Sequence, residues 1–333
     1  MQPAPLKSAL WVFATSLARY TPGAVLIALM FVFCIDTSEV WADEPKGEIA
    51  TWTKAGMVKG ATSTEEQCVR SDRVWVIDKG EGFCIRYFKN NIKPHAGLAI
   101  VIFDGDYVGS VWDSRGRPIR TTYGPNIDGK RLFRQTVNHT RQSKTNSVFL
   151  VSRPGQLGSS GDHKNKYKRS ESRIVNAALD QIKDRYHLEG LVLVGHSGGA
   201  TLIANLLGRR SDIKCAVMDS GAIALHAYAQ DDGFDSTIWA TWEDPIFSVD
   251  KIPPSATEYY ILAGEGDPTR PPKYQKLFAE ALAQRTPNVH YLLLRKPSDP
   301  HNLQDEAIRV ADQCASSVSF EKIKKSLKLS KKQ

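Results

Sequence analysis

No run of the sequence reaches the about 18 apolar residues of a membrane-crossing helix, which excludes a multispan membrane protein. Cysteine is scarce, at 5 in 333 residues, and this excludes a disulfide-dense miniature fold. Glycine (24) and proline (17) show neither excess nor a period, so collagen-like and low-complexity chains are excluded as well. There is no H-E-x-x-H, no paired C-x-x-C, no phosphate-binding G-x-x-x-x-G-K-[ST] and no dinucleotide fingerprint, so the pattern asks for no metal and no cofactor. Basic residues interleaved with stacking aromatics are lacking too, which argues against a nucleic-acid partner.

What is present suits a core: 41% of residues are hydrophobic and 24% charged, which excludes intrinsic disorder. The net charge of +8 on its face suggests an anionic partner. Its distribution says otherwise. Residues 322–333 hold six lysines and no acid, and residues 1–42 are neutral, so 43–321 carry only +2. This predicts a near-neutral body with a basic tail at 321–333, solvated or in weak contact with anionic surfaces.

Lys7 and Arg19 precede thirteen apolar residues at 23–35, followed by Asp36, Ser38 and Glu39 and then by Val40-Trp41-Ala42. Basic, apolar and polar regions in that order are the layout of a secretory signal peptide, with cleavage expected after Ala42. A membrane anchor through 23–35 is the alternative, but that run spans only about 20 Å as a helix. The expectation is an exported protein, periplasmic or secreted. The mature chain keeps Cys68, Cys84, Cys215 and Cys314. Cys68 and Cys84 lie close in sequence around a predicted hairpin and form the better disulfide pair. Cys215 and Cys314 can pair or stay as buried thiols.

Segments 73–78 and 83–88 alternate around Lys79-Gly80-Glu81-Gly82 and predict an antiparallel hairpin. Residues 43–70 read as polar and irregular. From 98–103 onward the strands change character. That run and those at 148–152, 191–194, 215–218, 259–263 and 291–294 are almost continuously apolar, as for strands buried on both faces. Between them Val175, Ala178, Leu179, Ile182 and Tyr186 fall on one helical face, and similar stripes recur at 200–207, 274–281 and 307–318. Strand and helix in alternation predict one α/β domain over 43–320, with a mostly parallel sheet covered on both faces.

Segment 191–194 runs directly into Gly195-His196-Ser197-Gly198-Gly199 and then a helix. This is G-x-S-x-G in the strand–turn–helix setting it requires, which makes Ser197 a candidate nucleophile. The chain here resembles the α/β-hydrolase family. Its compact layout, with only about forty residues between Met218 and Tyr259, is closer to the serine aminopeptidase and prolyl-oligopeptidase-like branch than to enzymes with a large lid domain. The resemblance implies an acid and a histidine after the serine in chain order. Asp267 follows strand 259–263 and His301 follows strand 291–294, in positions that match. Asp219, at the end of strand 215–218, is the alternative acid. His196 is expected beside the serine and His290 in a structural role; His163 and His226 stay open. The resemblance also implies an oxyanion hole from the main-chain N–H of Gly198 and a donor in the Gly105-Asp106 loop. Many relatives carry His-Gly there, whereas this chain has Asp104-Gly105, and the Asp106 carboxylate must face away from the oxyanion. Arg153-Pro154-Gly155 resembles a glycine-containing loop common in the family. Trp239, Trp242 and Phe247 can line a pocket or pack the insertion.

These residues together predict a serine hydrolase that cleaves an ester or amide of a small molecule or peptide, through an acyl-enzyme and with no cofactor. A peptidase or aminopeptidase on the same site and a non-catalytic binding protein on the same scaffold are the alternatives.

Overall fold

The computed structural model describes residues 49–93, 97–112, 118–122, 129–143, 146–253, 255–296 and 298–331. Residues 1–42, read above as a signal sequence, lie outside the described residues. Among those described, no helix is long and apolar enough to cross a membrane.

β3 (Leu98–Phe103) shows how the sheet is made. Its sequence LAIVIF has no polar residue, and Ile100, Val101, Ile102 and Phe103 are all fully buried. Side chains alternate across a strand. Val101 and Phe103 therefore enter one core with the helices Arg169–Tyr186 and Gly198–Leu206. Ile100 and Ile102 enter the other, with Leu132 and the helix Gln304–Ala315. β6 (Ser147–Val151), β7 (Gly190–His196), β8 (Ile213–Asp219) and β9 (Glu258–Gly264) repeat this two-faced burial, while the edge strand β10 (Val289–Leu294) buries only Leu292 and Leu294.

β1 (Arg73–Asp78) and β2 (Glu81–Asn90) form the expected hairpin, and β2 pairs antiparallel with β6. The eight strands run β1-β2-β6-β3-β7-β8-β9-β10, parallel from β6 to β10. Their carboxyl ends therefore point the same way, and the loops that leave them meet at one rim. β4 (Gly109–Trp112) and β5 (Pro118–Thr122) make a separate two-stranded ribbon. Short helices at Lys54–Lys59 and Glu65–Cys68 occupy the segment read as irregular; Thr53 and Thr64 cap them through side-chain oxygens.

Cys68 pairs with Cys84, and Cys215 pairs with Cys314. The second bond ties β8 to the helix Gln304–Ala315 across 99 residues of sequence.

The basic tail is corrected. Residues 320–331 are not a solvated appendage but a cover for the β10 edge. A helix at Phe320–Lys325 buries Ile323, and Leu327 follows it into the core. Phe320 stacks on His290 with ring centroids 3.9 Å apart. Leu329 then bridges Leu294, Arg295 N–H donates to Lys328 O at 2.9 Å, and Ser330 N–H donates to Leu293 O at 2.8 Å. Charge counting masked the spacing of Phe320, Ile323 and Leu327, a helical stripe between lysines. Deleting residues 320–333 is expected to lower the unfolding free energy by about 3 kcal/mol or more, because two buried aliphatic side chains are lost at about 1.5–3 kcal/mol each and a sheet edge is bared. Urea denaturation checks this; an unchanged midpoint would rule the cover out.

Candidate active site

β7 ends at His196 and the next helix begins at Gly198, so Ser197 is the whole turn. Its backbone sits at φ 51°, ψ −113°, a strained conformation for a residue with a side chain. Such strain costs about 1–3 kcal/mol and persists only where the surroundings enforce it. Here two glycines permit the enforcement. A Cβ on Gly195 would collide with the Gly199 carbonyl, and one on Gly199 with the Phe103 carbonyl. The tight turn holds Ser197 at 7% exposure on the carboxyl rim of the sheet.

Asp267 lies three residues past β9 and is 3% exposed. Its Oδ1 accepts the N–H groups of Thr269 at 2.8 Å and Arg270 at 3.0 Å. Its Oδ2 lies 2.8 Å from His301 Nδ1. Burial pushes the Asp267 carboxyl up, but the His301 hydrogen bond and the two main-chain donors outweigh it, and the group lies below its ordinary value. The loop that carries His301 reaches Asp267 because Gly264 leaves room: a Cβ there would strike the Pro300 carbonyl. Ser197 and His301 line one cavity of about 660 Å³.

Asp219 does not reach His301. It is fully buried and its Oδ1 lies 2.6 Å from His196 Nδ1. The alternative acid therefore holds the other elbow residue, as a second His–Asp pair beside the first. The rings of His196 and His301 are 5.1 Å apart. Burial pushes the His196 imidazole down, yet the Asp219 carboxylate outweighs it and raises its proton affinity. His290 meets Glu258 at 2.7 Å, a structural role as expected. His163 is fully buried behind Asp106, where desolvation holds it well below the usual histidine range. His226 packs against Trp239 and Phe247.

The Gly105 position lies close over the elbow, where an added Cβ would be 3.1 Å from Ser197 Cβ. Among the described residues, no hydrogen bond uses the main-chain N–H of Gly198 or Asp106. The Asp106 carboxylate is engaged elsewhere: Arg153 Nη1 donates to Oδ1 at 2.6 Å, Lys166 Nζ to Oδ2 at 2.9 Å, and the Tyr167 hydroxyl also binds Oδ2. Burial pushes this carboxyl up, but the two cations win and keep it well below the carboxylate range. Asp104 takes the place beneath. It accepts from the Tyr107 hydroxyl and the Gln304 amide at 2.5 Å each and pairs with His139 at 3.1 Å. Sequence reasoning missed Lys166, Tyr167, His139 and Gln304. Their partners lie 35 to 200 residues away, and no local spacing signals them.

The parallel sheet, the strained serine between two crowded glycines, and an acid and histidine after the next strands are one consistent arrangement. It superposes on an esterase of Pyrococcus furiosus with a TM-score of 0.51, at 14% identity, over 77% of this chain and 95% of that one. The chain has the α/β-hydrolase fold. A puromycin hydrolase is also similar, with a TM-score of 0.50 at 14% identity over 78% of this chain; the match spans only 41% of the puromycin hydrolase. No protein-family model and no curated sequence matches the chain. Within this α/β-hydrolase fold the described residues between β8 and β9 form short helices at Leu225–Asp231 and Ser236–Trp239 and a turn at Pro245–Lys251, and include no lid domain. From this stretch Trp242 and Phe234 line the cavity.

Proposed function

We propose that the protein is a serine hydrolase acting on ester or amide bonds, with Ser197 as nucleophile, His301 as base and Asp267 as its orienting acid. The observation that carries this is the 2.8 Å contact of Asp267 with His301 in the loops that flank the strained Ser197. In the reaction Ser197 Oγ bonds to the carbonyl carbon while its proton passes to His301. His301 hands that proton to the leaving oxygen or nitrogen, which departs as alcohol or amine. Water then attacks the acyl-enzyme, gives a proton to His301, and the acid leaves as Ser197 recovers its hydrogen. The ionised Asp267 stabilises the imidazolium formed in both halves. The N–H groups of Gly198 and Asp106, without acceptors among the described residues, serve as oxyanion donors. The clamp on the Asp106 carboxylate supports this, since its charge is balanced by Arg153 and Lys166.

Wild-type protein is expected to take up a fluorophosphonate probe, with the label mapping by mass spectrometry to the peptide containing Ser197, and to hydrolyse a short acyl ester. A protein that does neither is not a serine hydrolase. We further propose export after cleavage near Ala42; the two disulfides support an oxidising compartment.

A further inference from the structure

The cavity at Ser197 contains three cations, and two of them are engaged. Lys166 binds Asp106 at 2.9 Å. Lys273 binds Asp231 at 2.6 Å. The third, Arg270, meets no carboxylate within ion-pair distance among the described residues. Its Nη1 donates instead to the Tyr228 hydroxyl at 2.7 Å and to Thr269 O at 2.8 Å, and its guanidinium lies over the Tyr228 ring at 4.3 Å. Neutral acceptors fix the direction of a guanidinium without neutralising it. The Tyr167 hydroxyl is a further neutral partner, and Asp106, already holding Arg153 and Lys166, acts on Arg270 only from beyond ion-pair distance, so this half-buried cation is only partly compensated.

The placement of this charge is not loose. Arg270 N–H donates to Asp267 Oδ1 at 3.0 Å, so the turn that positions the proposed acid also sets the Arg270 backbone. The stacking on Tyr228 then orients the side chain along the wall of the cavity that holds Ser197 and His301. The guanidinium is a planar fork that matches a carboxylate. The opposite charge finds no such seat. Asp106, the buried carboxylate of the wall, is taken by Arg153, Lys166 and Tyr167, Asp231 is exposed and paired with Lys273, and Asp232, the third acid of the lining, is exposed. An ammonium-bearing substrate has no buried acceptor waiting for it, which weighs against an aminopeptidase.

Resting on the serine-hydrolase reading, we propose that Arg270 is the specificity residue of the site and that the substrate is an ester or amide carrying a free carboxylate away from the scissile bond. The aromatic side chains of Tyr228 and Trp242 on the same walls suit an apolar spacer between the two groups.

Three p-nitrophenyl esters of matched length test this: the mono-ester of adipic acid, the hexanoate and the 6-aminohexanoate. The full-length protein is expected to prefer the adipate ester over the hexanoate by about tenfold or more in kcat/KM, the scale of a charge-assisted hydrogen bond, and to disfavour the aminohexanoate. In Arg270→Gln the adipate-to-hexanoate ratio should fall towards one, chiefly through KM, and Arg270→Lys should restore part of it. Equal turnover of adipate and hexanoate by the wild type overturns the proposal without recourse to any variant. So does a preference for the aminohexanoate, or a ratio unaltered in a folded Arg270→Gln protein. Turnover of the hexanoate with no adipate preference removes this inference alone; absence of turnover of all three esters and of probe labelling removes the hydrolase reading and this one with it.

Discussion

Ser197→Ala is expected to lower kcat/KM for an acyl ester by a factor on the order of 10⁴ or more and to abolish fluorophosphonate labelling. The size follows from what is removed. The proposed mechanism passes through a covalent acyl-enzyme, and alanine has no atom to form that bond. What persists is binding and oxyanion stabilisation, which keep a residual rate above that in water. The substitution leaves the turn in place, since alanine retains the Cβ and the crowding at Gly195 and Gly199 is untouched. Circular dichroism and the melting temperature should therefore match the wild type. A variant that keeps a tenth of the activity would place the nucleophile elsewhere.

The second large effect separates the two carboxylates. Asp267→Asn is expected to cost about 10³–10⁴ in kcat, because an amide can neither hold the imidazole in the right tautomer nor stabilise its cation. Asp219→Asn should cost much less, about tenfold or below, since Asp219 contacts His196 and not His301 and its charge reaches the reaction only through a neighbouring ring. Single-turnover kinetics of both variants with one ester decides the assignment. The reverse ranking would make Asp219 the acid. The Asp267 carboxyl lies below its ordinary value in the folded protein. Its stabilising contribution is thus present above the unfolded value and is lost as pH falls through the folded one. Acid sensitivity of folding should diminish in Asp267→Asn.

Much of this architecture was legible where one physical requirement governs a whole segment. β3 was readable to the residue because a strand covered on both faces can contain nothing polar. The elbow was readable because its glycines answer to collisions with particular carbonyl groups. Other elements answered to weaker demands. The helix Gly129–Thr140, with sequence GKRLFRQTVNHT, is largely polar, and its apolar face rests on only Leu132, Phe133 and Val137. β4 and β5 are four and five residues long and pair only with each other. The cluster around Asp106 was hidden for a different reason: Arg153, Lys166 and Tyr167 reach it by hydrogen bonds from residues distant in sequence, and a polar residue in sequence looks solvated until its partner is known. The tail failed the opposite way, since its lysines drew attention from the three apolar residues that anchor it.

The turn after β9 performs three tasks within seven residues. Gly264 admits the Pro300 carbonyl, Asp267 holds His301, and Arg270 projects along the cavity wall. On the proposed mechanism, recognition and proton transfer are thereby mechanically linked, and this constrains how the protein can diversify. A change of preference obtained by remodelling this turn will disturb the base along with the pocket. Apart from Tyr228, which orients Arg270, the region between β8 and β9 carries no such burden. It contributes Phe234 and Trp242 to the cavity from the connections between its short helices, and among the described residues it makes no hydrogen bond to the side chains of Asp267 or His301. New substrates are most accessible, to selection or to an engineer, through substitutions there.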